Sequence, residues 1–186
     1  MRIIGGQWRG LHLAEVGAGD PKANLRPTSD RVREAIFNLL INGTHGDLVS
    51  GTSVLDLFAG TGALGLEALS RGALSVTLVD DGHAAQKLIS QNVAKMRVEG
   101  QVTLLPRDAT RLPPAAAPFS LIFLDPPYGK ALGQAALHSA RTQGWLAPNA
   151  TILWEEGTAP TPPQGFALLD QRRYGDTWVT LMELEP

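Results

Sequence analysis

Cysteine is absent from this chain of 186 residues, and only four histidines are present. Without cysteine the chain has no disulfides, no thiolate metal sites and no thiol nucleophile. The histidines stand at positions 12, 45, 83 and 138 and form no HExxH pattern. The sequence therefore predicts no metal site.

Long apolar runs are also missing. The N-terminal residues 1–6 contain no apolar stretch of signal-peptide length, and no window approaches the ~18 apolar residues of a membrane span. We therefore expect a soluble, cytoplasmic protein without a membrane partner. A monomer is the default expectation for its oligomeric state.

Charged residues are few, at 18%, and acidic residues slightly outnumber basic ones, which gives a net charge of −2. The charge is unevenly distributed. Residues 1–33 contain six basic and three acidic side chains, and the acidic excess lies in the remainder of the chain. If the partner is a polyanion, the N-terminal segment is expected to bind it.

Secondary-structure signals differ before and after about residue 45. Before it, two short β-like pieces predict a small hairpin, and apolar residues at helical spacing predict a helix over 29–41. After it, strands and helices alternate, which predicts a mostly parallel seven-stranded sheet with helices on both faces and a C-terminal antiparallel hairpin. The predicted strands are 53–58, 75–80, 102–105, 120–124, 150–155, 166–174 and 177–184, and the predicted later helices are 62–71, 84–97 and 132–141.

The first candidate binding motif is Asp56–Gly62, with the sequence DLFAGTG, between a strand and a helix. Glycines there let a ligand approach the backbone, and this edge of an open α/β sheet is where ligands bind. Asp80 ends the next strand, where a carboxylate accepts hydrogen bonds from ribose hydroxyls. Residues 60–65 also match GxGxxG, so the motif fits both NAD and S-adenosylmethionine. Because Asp81 is next to Asp80, the sequence leaves open which of the two carboxylates binds the ribose.

Asp108 and Ala109 follow the third strand of this alternating region. An aspartate at that edge of the sheet can accept a hydrogen bond from an adenine amino group. An ordinary turn aspartate explains the pattern equally well.

The most informative motif is Asp125-Pro126-Pro127-Tyr128, directly after a fully apolar strand. Two prolines remove two N–H donors and stiffen the backbone, so the motif offers acceptors, namely carbonyls and the Asp125 carboxylate. Acceptors without donors suit an exocyclic amino group. Tyr128 adds a flat ring on which a base can stack.

These residues resemble class I S-adenosylmethionine-dependent methyltransferases that modify amino groups, whose signature is [N/D]PP[Y/F]. The chain is most similar to the RsmD family, bacterial 16S rRNA guanine-N2 methyltransferases. Four segments carry this resemblance: 2–10, 25–37, 55–73 and 123–128. Two departures are Asp80, where the family usually has glutamate, and Gly-Thr-Gly at 60–62, where Gly-Ser-Gly is common.

The resemblance implies a Rossmann-like fold and methyl transfer from S-adenosylmethionine to N2 of a guanine in small-subunit rRNA. Within the motif Asp125–Tyr128, it makes Asp125, Pro126, Pro127 and Tyr128 the catalytic residues. The implied cofactor-binding residues are Asp56, Phe58, Ala59, Gly60 and Gly62 near the amino-acid part, Asp80 at the ribose, and Asp108 and Ala109 at the adenine.

The resemblance also implies that residues 1–45 form an RNA-contacting extension of a methyltransferase domain over 46–186. The expected partner is small-subunit rRNA within an assembling ribosomal particle. Alternatives are methylation of DNA adenine N6 or protein glutamine, an NAD-dependent oxidoreductase, and a non-catalytic RNA-binding assembly factor. The expected RNA contacts are Trp8, Arg9, Arg26, Thr28, Arg31 and Arg33.

Overall fold

A seven-stranded sheet forms the centre of the protein. A computed structural model describes residues 1–15 and 28–186, so Arg26 lies outside the described residues. The strands are β1 (Ser53–Leu57), β2 (Ser75–Val79), β3 (Val102–Leu105), β4 (Phe119–Leu124), β5 (Leu146–Glu156), β6 (Phe166–Tyr174) and β7 (Thr177–Leu184). The helices are α1 (Asp30–Asn42), α2 (Ala63–Ser70), α3 (His83–Met96) and α4 (Leu132–Thr142).

The strand order is β3-β2-β1-β4-β5-β7-β6. The first five of these strands are parallel, and β7 and β6 extend the edge as an antiparallel hairpin. This arrangement confirms the predicted Rossmann-like fold. The chain order reverses between β1 and β4, and in such sheets the crevice outside the carboxyl ends of the strands at this point is the ligand site.

Side chains alternate between the two faces of the sheet, as the two-residue repeat of a strand requires. Val54 of β1 and Phe123 of β4 pack with α1 and α2 on one face. Leu55 and Leu124 pack with α4 on the other. Both faces of the central strands are therefore buried, which explains why β4 is almost entirely apolar.

The N-terminal segment is attached to the main sheet through Glu67 of α2. Glu67 is fully buried and accepts hydrogen bonds from the backbone N–H groups of Ile4 and Gly5, each at 2.8 Å. Ile3 and Leu13 belong to the same apolar core as Val54. The predicted division at residue 45 therefore does not separate two cores.

The predicted N-terminal hairpin consists of one antiparallel bridge, between Arg2 and His12. Backbone bonds from Ile3 N–H to Leu11 and from Gly10 N–H to Ile3 extend this pairing. Most predicted helix and strand ends lie within one residue of those observed. The exception is β5, which begins at Leu146 instead of residue 150.

The early start of β5 has a local explanation. Pro148 and Asn149 are typical turn residues, and Asn149 has a φ of 58°. The pairing with β4 also shifts register between Phe119 and Leu121. The first half of β5 is therefore irregular, and its turn-forming residues do not give the sequence pattern of a strand. In the described part of the chain, no helix is both long enough and apolar enough to cross a membrane.

Candidate active site

A cavity of about 1400 Å³ opens at the carboxyl ends of β1, β2 and β4. Its walls come from the turn after β1, the start of α3, the segment after β4, the start of α1 and the end of the β6–β7 hairpin. The cavity brings together most of the residues that the sequence analysis selects. Among the predicted residues it is lined by Thr28, Arg31, Asp56, Phe58, Ala59, Gly60, Asp80, Asp125, Pro126, Pro127 and Tyr128.

The glycine motif forms a tight turn between β1 and α2. Phe58, Gly60 and Gly62 all have positive φ angles, of 62°, 58° and 78°. A positive φ is uncommon for a residue such as Phe58, so the surrounding structure holds this turn in place. Gly62 is the N-cap of α2 and lies between Thr61 and Ala63, which line the cavity.

Asp80 is tied to the glycine turn by its two carboxylate oxygens. Oδ2 accepts from the backbone N–H of Gly60 at 2.9 Å, and Oδ1 accepts from that of Gly82 at 2.8 Å. Burial raises the pKa of Asp80, and these two hydrogen bonds oppose the rise. Asp81 also lines the cavity but is exposed. The two hydrogen bonds therefore fix the orientation of the Asp80 carboxylate at the cavity wall.

Asp56 is a buried carboxylate in the cavity wall. It is 1% exposed, and its Oδ2 accepts from the backbone N–H of Gly65 at 2.9 Å. Burial raises the pKa of Asp56 to about 8, and the nearby Asp125 and Asp80 add to the rise. This carboxyl group is therefore largely protonated at neutral pH unless a cation lies close to it.

The Asp125–Tyr128 segment follows β4 at the centre of the site. The backbone N–H of Asp125 bonds the carbonyl of Leu57 at 3.4 Å, which joins the ends of β4 and β1. The Tyr128 hydroxyl lies 3.1 Å from Oγ1 of Thr177, so the ring is joined to the start of β7. The ring is half-buried and lines the cavity.

Glu155 is a site residue that sequence reasoning missed. It lies near the end of β5, is 1% exposed and lines the cavity. The Thr28 hydroxyl lies 3.4 Å from Glu155 Oε2 and 3.4 Å from Asp125 Oδ2, so both carboxylates compete for one hydroxyl proton. Burial and the adjacent Asp125 raise the pKa of Glu155 well above its usual range.

Two expected adenine ligands are not brought to the cavity. Asp108 and Ala109 are outside its lining. The Asp108 carboxylate accepts from the backbone and hydroxyl of Thr110 and pairs with Arg111 at 3.3 Å. These local bonds are those of a turn aspartate, the second explanation of its sequence pattern.

The expectation that Arg33 contacts RNA is wrong, because its side chain is fully buried. Its Nη2 donates to Asp30 and to the carbonyl of Arg2, and its Nε lies 3.8 Å from Glu67. Burial lowers the pKa of Arg33, and the carboxylates of Glu67 and Asp30 oppose that effect. Arg33 therefore helps to join α1, α2 and the N-terminal segment.

Of the four other expected RNA contacts that the structure describes, two line the cavity and two do not. Arg31 is exposed at the cavity, and Thr28 lies inside it between the two carboxylates. Arg9 is exposed but outside the lining. Trp8 is half-buried against the core, and its backbone N–H donates to the Ser70 hydroxyl at 3.0 Å.

The interior of the cavity is acidic, and its opening contains both exposed carboxylates, those of Glu15, Asp81 and Asp176, and exposed cations. The interior contains three carboxyl groups whose pKa values burial raises, those of Asp56, Asp80 and Glu155. Exposed cationic side chains among the lining residues are those of Arg31, Lys130 and Arg173. An interior of this kind favours a cationic small molecule.

Comparisons with known proteins find relatives that match nearly the whole chain. The family model described as "Conserved hypothetical protein 95" matches residues 1–183. Ribosomal RNA small subunit methyltransferase D of Escherichia coli is 35% identical over all of this chain and 90% of its own length. The chain belongs to the RsmD family.

A second curated relative and a solved structure are similar over comparable lengths. Ribosomal RNA small subunit methyltransferase D of Haemophilus influenzae is 33% identical, over 94% of this chain and 89% of its own length. The solved structure of the Escherichia coli protein yhhF has a TM-score of 0.82 and 35% identity, and the match covers 100% of this chain and 98% of that one.

Two segments that carry the likeness to the RsmD family contact each other in the fold. The Ser70 hydroxyl of α2 donates to the carbonyl of Gly5 at 2.6 Å, and the backbone N–H of Gln7 donates to the Ser70 carbonyl at 2.8 Å. A Cβ atom on Gly6 would lie 1.8 Å from that carbonyl oxygen. The glycine pair and the serine are therefore parts of one docking contact.

Proposed function

We propose that this member of the RsmD family transfers a methyl group from S-adenosylmethionine to N2 of a guanine in small-subunit rRNA. One observation carries the proposal. Asp125–Tyr128, an acceptor-rich segment suited to an amino group, shares a cavity with the glycine turn and with Asp80. The names of the related small-subunit rRNA methyltransferases support the RNA substrate.

The charge of the cavity suits this cofactor. When bound, S-adenosylmethionine supplies a methyl group on a sulfonium cation. A cation beside the buried carboxyl groups favours their ionised forms, so a bound cation would oppose the effect of burial on the pKa of Asp56. Asp80 would hold the ribose, and residues 58–60 would lie along the amino-acid part.

The substrate amino group would lie at Asp125. Its carboxylate and the Pro126 carbonyl would accept the two amino hydrogens, which orients the nitrogen lone pair away from them. Orientation of reacting groups contributes several kcal/mol to catalysis. Asp125 would also be the nearest acceptor for the proton that the amino group loses. Tyr128, held by Thr177, would stack on a guanine that has left its own base stack.

The proposed RNA surface is smaller than the sequence predicts. It retains Arg9 and Arg31, which are exposed, and Trp8, whose ring is half-buried. Because the exposed basic residues are few, a shaped site on an assembling ribosomal particle is favoured over a tight grip on free RNA.

The test measures methyl transfer and cofactor binding separately in Asp125→Ala and in the control Asp170→Asn. Asp170 is a surface carboxylate of β6 outside the cavity lining. Using small ribosomal subunits that lack the modification, we expect Asp125→Ala to lose methyl transfer at least tenfold more than cofactor binding. Asp170→Asn is expected to keep both.

Equal loss of transfer and binding in Asp125→Ala would make Asp125 a cofactor residue and overturn its assignment. Absence of methylated rRNA with the wild-type protein, while cofactor binding is intact, would refute the substrate. In that case DNA adenine and protein glutamine, which the Asp-Pro-Pro-Tyr motif also permits, become the substrates to test.

A further inference from the structure

The end of the β6–β7 hairpin is part of the cavity wall, which nothing in the sequence motifs indicates. Five consecutive residues, 173–177, line the cavity. They span the last two residues of β6, the two-residue turn and the first residue of β7. This wall lies far along the chain from the basic N-terminal segment.

The hairpin end has a defined structure. Gly175 has a φ of 60°, as the first position of a tight two-residue hairpin turn requires. The Arg173 Nε donates to the Gly175 carbonyl at 2.9 Å, which keeps the guanidinium near the turn. Thr177 bonds Tyr128, so the hairpin end is joined directly to the substrate motif.

Charge at this wall is available for a ligand. In the described residues, neither Arg173 nor Lys130 forms an ion pair, and both are exposed in the cavity lining. The neighbouring Arg172 is different, because it pairs with Asp170 at 2.8 Å and lies outside this cavity. Asp176 also lines the cavity, so the turn as a whole is not basic. An anionic ligand would therefore be bound by the individual cationic side chains.

We infer that Arg173 and Lys130 bind backbone phosphates next to the target nucleotide, so that the β6–β7 hairpin is a second RNA contact besides the N-terminal segment. This inference rests on the proposed function. A base stacked on Tyr128 has its sugar and phosphates toward the opening of the cavity. Lys130 is two residues beyond Tyr128, and Arg173 is on the strand paired with Thr177.

A pair of identical substitutions on adjacent residues tests the inference. Arg173→Gln and Arg172→Gln each remove one positive charge from the same strand, but only Arg173 lines the cavity. Binding of the full-length proteins to small ribosomal subunits that lack the modification is measured across a salt series. The slope of log affinity against log salt is expected to fall by about 0.7–0.9 for Arg173→Gln and to stay unchanged for Arg172→Gln.

Two further measurements make the outcome decisive. Lys130→Gln combined with Arg173→Gln is expected to lower the slope by about twice as much, and S-adenosylmethionine affinity is expected to stay within about twofold of wild type. A wild-type slope for Arg173→Gln, or equal effects of both arginine variants, overturns the inference. If the wild-type protein itself neither binds nor methylates rRNA, the proposed function fails instead.

Discussion

Replacing Asp56 with asparagine is expected to change the pH dependence of stability by a calculable amount. The folded-state pKa of Asp56 is about 8, whereas its ordinary value is 3.8. A raised pKa means that the folded protein holds a proton that the unfolded chain has lost. Stability from this group is therefore greatest below about pH 4 and decreases as pH rises toward 8.

The magnitude follows from linkage. Between the two pKa values the free energy of unfolding falls by about 1.4 kcal/mol for each pH unit. Between pH 6 and pH 9 this gives a loss of about 3 kcal/mol, because the loss ends above the folded-state pKa. Asparagine does not titrate, and its side-chain oxygen can still accept from Gly65, so Asp56→Asn lacks this loss.

Urea unfolding of both proteins at pH 6 and pH 9 provides the measurement. Asp80 and Glu155, whose pKa values burial also raises, are present in both proteins. The difference between wild type and variant in their loss from pH 6 to pH 9 therefore reports the titration of Asp56 together with its coupling to these neighbouring carboxyl groups. We expect a difference of about 3 kcal/mol. Equal losses in the two proteins would refute the reasoning that burial keeps this carboxyl protonated.

Three other substitutions test the packing and charge of the site. Gly65→Ala places a Cβ atom 2.5 and 2.7 Å from two side chains of β2, so we expect the free energy of unfolding, measured in urea, to fall by about 1–3 kcal/mol. Gly100→Ala is the control, because its Cβ atom would meet nothing within 4 Å. Equal effects of the two substitutions would show that close packing at Gly65 does not matter for stability. Glu67→Ala removes the acceptor of two backbone N–H groups and a partner of the buried Arg33. We expect the free energy of unfolding to fall by about 3–5 kcal/mol in the same assay. A fall below about 1 kcal/mol would show that the contact between Glu67 and the N-terminal segment is dispensable. Glu155→Gln cannot ionise, so it is expected to lose less stability than wild type between pH 6 and pH 9; an unchanged loss would show that Glu155 does not titrate there.

The parts of the site that the sequence predicts are those with a local cause. Glycines between a strand and a helix, and prolines after an apolar strand, act on the backbone where they stand. Because parallel strands end at the same edge of the sheet, the alternating pattern also places Asp56, Asp80 and Asp125 near one another. The fold and its site edge follow from these local patterns.

The parts that the sequence does not predict depend on distant contacts. Glu155 and Glu156 are adjacent, and no local pattern shows that Glu155 faces the cavity beside Asp125. Arg33 resembles an exposed helix residue, yet Glu67, on another helix, helps to hold it inside. Asp108 is the opposite case, because its carboxylate accepts hydrogen bonds from Thr110 within its own turn.

The most direct test of the proposed function is to identify the methylated nucleoside. Small ribosomal subunits from cells that lack this protein are incubated with the protein and methyl-labelled S-adenosylmethionine, and the digested rRNA is analysed by mass spectrometry. We expect label in N2-methylguanosine and in no other nucleoside. Label in another nucleoside, or an unlabelled digest from a protein that binds the cofactor, would contradict the proposed function.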